Sequence, residues 1–304
     1  MFMIGVLALA GCRAHAPIVY YEMQSEGEMF TSLTKITENN DAVCPFGGDN
    51  DGPLFFVYQA DGKGQTNIYK KDKPLSNSMT QMTSVDLVMF PAYSKAVDKI
   101  AFRMNNDIYT MPASKGKALT QITSTNDCKE DHPCFSPDGN LIVYDRILRT
   151  LNNGSYYYYT DKSEIWIKNL QTGENMLIGN GHMPSFSPDG KKIVYCKVEN
   201  SDCSIWMMDI DGDNQSKITD NNTLKSAQRP RFSPDGKYII FDSSDKKDGN
   251  MDLYVISVEG GNLTRLTVNN SSDTQPYWST DGYIYFVSDR GEKAKDYNIW
   301  RFKY

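Results

Sequence analysis

His182-Met183-Pro184-Ser185-Phe186-Ser187-Pro188-Asp189-Gly190-Lys191-Lys192-Ile193-Val194-Tyr195-Cys196 decides the fold, because the chain writes this stretch six times in altered form. The opening prolines are Pro45, Pro91, Pro133, Pro184, Pro230 and Pro276, spaced 46, 42, 51, 46 and 46 residues apart. A period of that size belongs to solenoids, propellers and repeat arrays. Aromatic-Ser-Pro-Asp-Gly follows at 135–139, 186–190 and 232–236; 278–282 has Thr280 in place of the proline, and Tyr93-Ser94 keeps two positions. An apolar run comes next, such as Leu54-Phe55-Phe56, Ile142-Val143-Tyr144 or Ile239-Ile240-Phe241. Then comes an aliphatic-aromatic pair, such as Ile68-Tyr69, Ile165-Trp166 or Ile299-Trp300, and most units close on an apolar-Thr step.

Short β-branched and aromatic runs between Gly, Asn, Asp and Pro clusters read as antiparallel strands. Ser-Pro-Asp-Gly carries type I turn chemistry, with Pro presetting φ at the second position and Gly at the fourth. Four strands in roughly 45 residues make one propeller blade. The fold expected is therefore all-β, a six-bladed β-propeller of four-stranded antiparallel blades, here lettered A to D from the proline strand onward. The last unit stops at its strand C, Trp300-Arg301-Phe302-Lys303-Tyr304. Leu33-Thr34-Lys35-Ile36-Thr37 resembles the strand D run Leu263-Thr264-Arg265-Leu266-Thr267. Residues 32–37 are thus expected to close the sixth blade, since an unpaired edge would invite aggregation.

The Phe-Ser-Pro-Asp-Gly turns, the Ile-Trp pairs and the Leu-Thr closures resemble the TolB-type, WD-like propeller family, over nearly all of the chain from Ser32 onward. The resemblance implies the fold and an envelope setting. It does not carry an activity, because one superfold hosts many functions. About thirty residues precede the repeats, so the resemblance implies neither TolB's separate N-terminal domain nor its partnership with peptidoglycan-associated lipoprotein;.

Residues 1–10 are apolar and lead into Leu9-Ala10-Gly11-Cys12, which resembles a bacterial lipobox. The stretch is too short to span a membrane and suits a signal-peptide core. The organisation expected is a signal peptide over 1–12 with Cys12 lipidated, a tether over 13–31 and the propeller over 32–304. That sets the protein in the bacterial envelope, lipid-anchored, at the outer membrane facing the periplasm. A net charge of −6, from 32 basic and 38 acidic residues with the basic ones dispersed, argues against nucleic acid;. Cys196 with Cys203 and Cys128 with Cys134 are possible disulfide pairs, or buried free thiols; connectivity is not fixed by sequence.

Strand A is expected innermost, so the residues just before each proline should ring the central channel. That ring holds Asp131, His132, His182, Arg229 and Gln275, with two of the three histidines at near-equivalent repeat positions. The third unit carries a long B–C insertion with Tyr156, Tyr157, Tyr158 and Tyr159, a residue type suited to interfaces and sugar stacking;. These residues are the expected contacts for an envelope protein, a peptide or a glycan, on one shared rim and with no cofactor. The alternative is a metal-dependent polysaccharide lyase with His132 and His182 as ligands, after a faint resemblance to oligogalacturonate lyases. The Asp209-Ile210-Asp211-Gly212-Asp213-Asn214 run lacks the acidic residue that closes a calcium loop and reads as a hairpin turn;. No Gly-x-Ser-x-Gly elbow appears;.

Overall fold

The computed structural model describes residues 30–38, 41–59, 64–85, 87–114, 118–152, 155–158, 160–220, 222, 224–245, 250–291 and 297–304. The expected signal peptide over 1–12, with Cys12, and most of the expected tether lie outside these residues, as does Tyr159. Strand β1 is Thr31–Lys35. Blade one comprises β2 (Ala42–Gly47), β3 (Leu54–Tyr58), β4 (Asn67–Lys71) and β5 (Thr80–Gln81). Blade two comprises β6 (Val88–Ser94), β7 (Lys99–Met104), β8 (Asp107–Pro112) and β9 (Thr120–Gln121). Blade three comprises β10 (Cys128–Phe135), β11 (Leu141–Asn152), β12 (Ser155–Tyr158), β13 (Glu164–Asn169) and β14 (Asn175–Asn180). Blade four comprises β15 (His182–Phe186), β16 (Lys192–Glu199), β17 (Asp202–Asp209) and β18 (Ser216–Lys217). Blade five comprises β19 (Leu224–Phe232), β20 (Tyr238–Asp245), β21 (Met251–Ser257) and β22 (Thr264–Arg265). Blade six comprises β23 (Asp273–Trp278), β24 (Tyr283–Ser288) and β25 (Asn298–Lys303), and its sheet order β1-β25-β24-β23 takes the N-terminal strand as its fourth member.

The closing strand thus sits where the repeat pattern puts it, antiparallel to β25 with Thr34 opposite Arg301 and Lys35 opposite Trp300. The strands A touch one another around a closed circle, β2 to β6, β10, β15, β19, β23 and back to β2, so they form the inner wall. Strand B of every blade is apolar without alternation because both of its faces are covered. The core is accordingly six clusters, one at each blade interface; Val143 and Ile165 of blade three meet Ile193 and Met208 of blade four, and Phe56 of blade one meets Tyr285 of blade six.

The recurrent threonine has a physical cause. Strand D is only two residues long in most blades, and the threonine just past it extends the ladder with its side chain. The hydroxyls of Thr83, Thr123, Thr219 and Thr267 accept the strand C amides of Ile68, Ile108, Ile205 and Leu253 at 2.9, 2.9, 2.9 and 3.0 Å. Thr37 does the same for Ile299 at 3.0 Å, across 262 residues of sequence. The Ser-Pro-Asp-Gly turns are equally uniform. Ser136, Ser187 and Ser233 each donate to the turn aspartate at 2.6 Å, which holds Asp138, Asp189 and Asp235 below the ordinary carboxylate range.

Gly212, in the C–D turn of blade four, has φ +95°, and a Cβ there would lie 2.2 Å from the carbonyl oxygen of Ile178 on β14. Neither the backbone conformation nor the space admits a side chain. Gly212→Ala is expected to lower stability by about 2–3 kcal/mol, read as a drop in the urea midpoint at unchanged slope.

Candidate functional site

All six strands A bulge at the same place. The residue before each proline, namely Cys44, Phe90, His132, Met183, Arg229 and Gln275, has a left-handed backbone with φ between +48° and +55°. The pairing register with strand B slips across each of these positions. A residue before proline is normally confined to extended backbone, and left-handed φ is uncommon outside glycine. Such strain costs of order 1–3 kcal/mol per residue and persists where the surroundings over-determine it. Here the proline cannot donate to the ladder, and the bulge turns the preceding amide out of it as well.

Side chains recapture those amides and tie blade to blade. Gln275 N–H donates to Asp242 Oδ2 at 2.7 Å, and Cys44 N–H donates to Gln275 Oε1 at 2.7 Å. The Phe90, Met183 and Arg229 amides face the Cys44 sulfur, the Asp145 carboxylate and the Cys196 sulfur. The acceptors Asp145, Cys196 and Asp242 occupy one repeat position, directly after the strand B aromatic. Burial lifts the Cys44 thiol to about 11, so it stays protonated and neutral;.

From this waist a cavity of about 450 Å³ runs toward the A–B turns. Its lining repeats with the sequence. The first tier is Cys44, Phe90, His132, Arg229 and Gln275; the next is Phe46, Ala92, Cys134, Ser185, Arg231 and Tyr277. Lys95, Pro137, Pro188, Pro234 and Thr280 frame the mouth. Phe135, Phe186, Phe232 and Trp278, the aromatics of the turn motif, also contribute to the wall.

His132 stacks on Phe90 with ring centroids 4.0 Å apart, and its Nδ1 lies 2.8 Å from Asp145 Oδ1. Its Nε2 has no hydrogen-bond partner among the described residues. Arg229 lies on the cavity wall with Nε 2.7 Å from Asp242 Oδ2. Burial raises the Asp242 carboxyl above its ordinary range in spite of that guanidinium.

His132, Arg229 and Gln275 therefore share the cavity floor. Asp131 and His182 do not line it. Asp131 is fully buried, bridged by Arg103 Nε at 2.9 Å and Lys129 Nζ at 2.7 Å. His182 precedes Met183 rather than the proline, and its Nε2 contacts Cys203 Sγ at 3.2 Å. The two imidazoles thus take separate partners. Among the described residues no group of three or more His, Cys, Asp or Glu side chains is placed to hold a metal ion.

The shared rim also divides. The backbone of Tyr156, Tyr157 and Tyr158 forms β12, which pairs with β11 opposite Leu151, Thr150 and Arg149. That hairpin extension lies at the end of β11 away from the Ser-Pro-Asp-Gly turn, so it stands at the opposite end of the blade from the cavity mouth. The reason is the bulge: the pre-proline residue marks the middle of strand A, not its start. The cysteines of the described residues are free thiols, with Cys128 and Cys134 at opposite ends of β10. The sequence carries one further signal of this site at the position after the strand B aromatic, where Asp145 and Asp242 interrupt apolar runs.

Comparison with known proteins places this geometry. An uncharacterized protein of Agrobacterium fabrum is 30% identical over 170 residues, 53% of this chain and 51% of that protein. The match thus spans about half the length of that curated relative. The structure of a putative TolB from Agrobacterium tumefaciens superimposes with a TM-score of 0.59 at 24% identity, covering 72% of this chain and 75% of that one. An oligogalacturonate lyase in complex with manganese superimposes with a TM-score of 0.61 at 16% identity, covering 95% of this chain and 96% of that one. At these identities both likenesses concern the fold. Residues 153–246 and 182–301, together just under half of the chain, match the TolB beta propeller domain.

Proposed function

We propose that this chain is a non-catalytic binding propeller of the bacterial envelope, which takes an envelope protein, a peptide or a glycan into its central cavity. One observation carries the reading. The frame of the cavity repeats, with the inner proline in all six blades and the turn aromatic-serine pair in five, whereas the tiers that face the cavity differ at almost every blade. A frame under one steric constraint repeats; a surface fitted to an asymmetric ligand does not. Aromatic and proline walls with a few polar groups at the floor have the character of a recognition pocket. Arg229, Gln275 and His132 would orient the ligand, and the tyrosine hairpin at the opposite end would give a second contact surface. The family match supports the envelope setting, and lipidation at Cys12 would supply the anchor.

A photo-crosslinking residue at position 231, used in intact envelopes, tests this. Capture of a defined partner is expected there, and Ala92→Trp, which fills the cavity from the opposite wall, should reduce that capture by about tenfold or more;. Equal capture from position 217, on the outer edge of blade four, or undiminished capture in Ala92→Trp, would count against the cavity.

A further inference from the structure

Cys196 and Cys203 lie on the two strands of one hairpin, β16 and β17. The register sets Cys196 opposite Ile205 and Val198 opposite Cys203, so the cysteines are diagonal neighbours on one face;. Both side chains belong to the buried cluster between blades four and five. Cys203 is the second residue of β17, beside a tight turn in which Asn200 and Ser201 have left-handed backbones. It is 7% exposed, whereas Cys196 is fully covered. His182 Nε2 stands 3.2 Å from the Cys203 sulfur.

From this arrangement we propose that Cys203 and Cys196 form a peroxide-reactive dithiol, with Cys203 as the attacking sulfur, Cys196 as the resolving one and His182 as the positioning proton donor. The Cys203 thiolate attacks a hydroperoxide, the O–O bond breaks, sulfur is oxidised by two electrons, and the His182 proton goes to the departing alkoxide or hydroxide. Cys196 then attacks the sulfenic sulfur, the S–S bond forms, and the Cys196 proton leaves with the hydroxyl as water. The sum is two thiols and one hydroperoxide giving one disulfide, one alcohol or water, and a second water. A thiolate poised beside a resolving cysteine is the arrangement that such chemistry needs.

The electrostatics agree with the geometry. The Cys196 thiol and the His182 imidazole bring the Cys203 thiol down to about 5, against burial and the neighbouring Asp202. His182 is raised above its ordinary range by Cys203 and Asp145, against burial and Arg229. These groups come from β15, β16, β17, β11 and β19, the elements packed around the pair.

Oxidation would also reach the cavity. The Cys196 sulfur faces the amide of Arg229 and donates its S–H to Ala227 O at 3.7 Å. A disulfide removes the donor and redirects the sulfur, releasing the strained amide of a residue whose side chain lines the cavity. The dithiol itself does not depend on what the cavity binds.

The reduced full chain, given limiting hydrogen peroxide and then alkylated, decides the matter by peptide mapping. The expected result is a Cys196–Cys203 disulfide and two thiols lost per peroxide, with Cys44, Cys128 and Cys134 still alkylated. Cys196→Ser should instead accumulate a dimedone-reactive sulfenic acid on Cys203. Alkylation of Cys203 should be nearly flat from pH 6 to 8, and His182→Gln should make it rise with pH, toward the roughly tenfold per unit shown by an ordinary thiol. A disulfide elsewhere, no disulfide, or an ordinary pH slope in the parent would each overturn the proposal. If His182→Gln does not fold, the parent's slope and disulfide map decide alone.

Discussion

Deleting residues 1–37 is expected to destroy the cooperative unfolding transition and leave an aggregating chain. The removed strand supplies Phe30, Leu33 and Ile36, buried to 6%, 0% and 4% exposure against blades five, six and one. Burying three such side chains is worth about 1.5–3 kcal/mol each, a sum close to the whole stability of a typical domain. Phe30 stacks on Phe302 at 4.1 Å. Ile36 N–H donates to Ile299 O at 2.7 Å, and Ile36 O accepts the Lys71 ammonium of blade one, so the strand fastens both sides of the seam. Its loss would bare the full edge of β25. Leu33→Ala isolates the packing share and should cost about 2–5 kcal/mol with the ring still closed. Urea unfolding of both variants measures the effect; a truncated chain that melts where the parent does would refute the closure.

Asp242→Ala is expected to cost about 3–5 kcal/mol and to abolish partner capture at the cavity floor, because it leaves the Arg229 guanidinium without its partner. Asp242 is fully buried and serves two groups, Arg229 Nε and the strained Gln275 amide, each at 2.7 Å. The damage should propagate, since Gln275 Oε1 holds the Cys44 amide of the next blade. Adding Arg229→Met removes the stranded charge, so the double variant should recover part of the lost stability while capture stays lost. Equilibrium unfolding and crosslinking at position 231 read the two effects separately. Additive stability losses in the double variant would show that the pair is not coupled.

The fold was legible because its determinants are local. Type I turn residues, two-face apolar strands and the Thr cap each depend on a few neighbouring residues, and repetition made six weak signals one strong signal. The histidines were less so. His132 and His182 look equivalent in the repeat, yet one stacks on Phe90 against Asp145 while the other meets Cys203 inside a blade interface. A one-residue offset before the proline reverses the side to which a strand residue points.

The sequence alone determined the number of blades, the order of their strands and the strand that shuts the ring, because hydrophobic period and turn chemistry are written along the chain. Only the tertiary structure decided that the pre-proline residues turn left-handed, that the cavity runs from them toward the Ser-Pro-Asp-Gly turns, and that the tyrosine hairpin stands at the other end. Those features come from six strands meeting around one axis, where bulged amides are held by side chains of the neighbouring blade, as Gln275 is by Asp242 and Cys44 by Gln275. No local pattern encodes that contact.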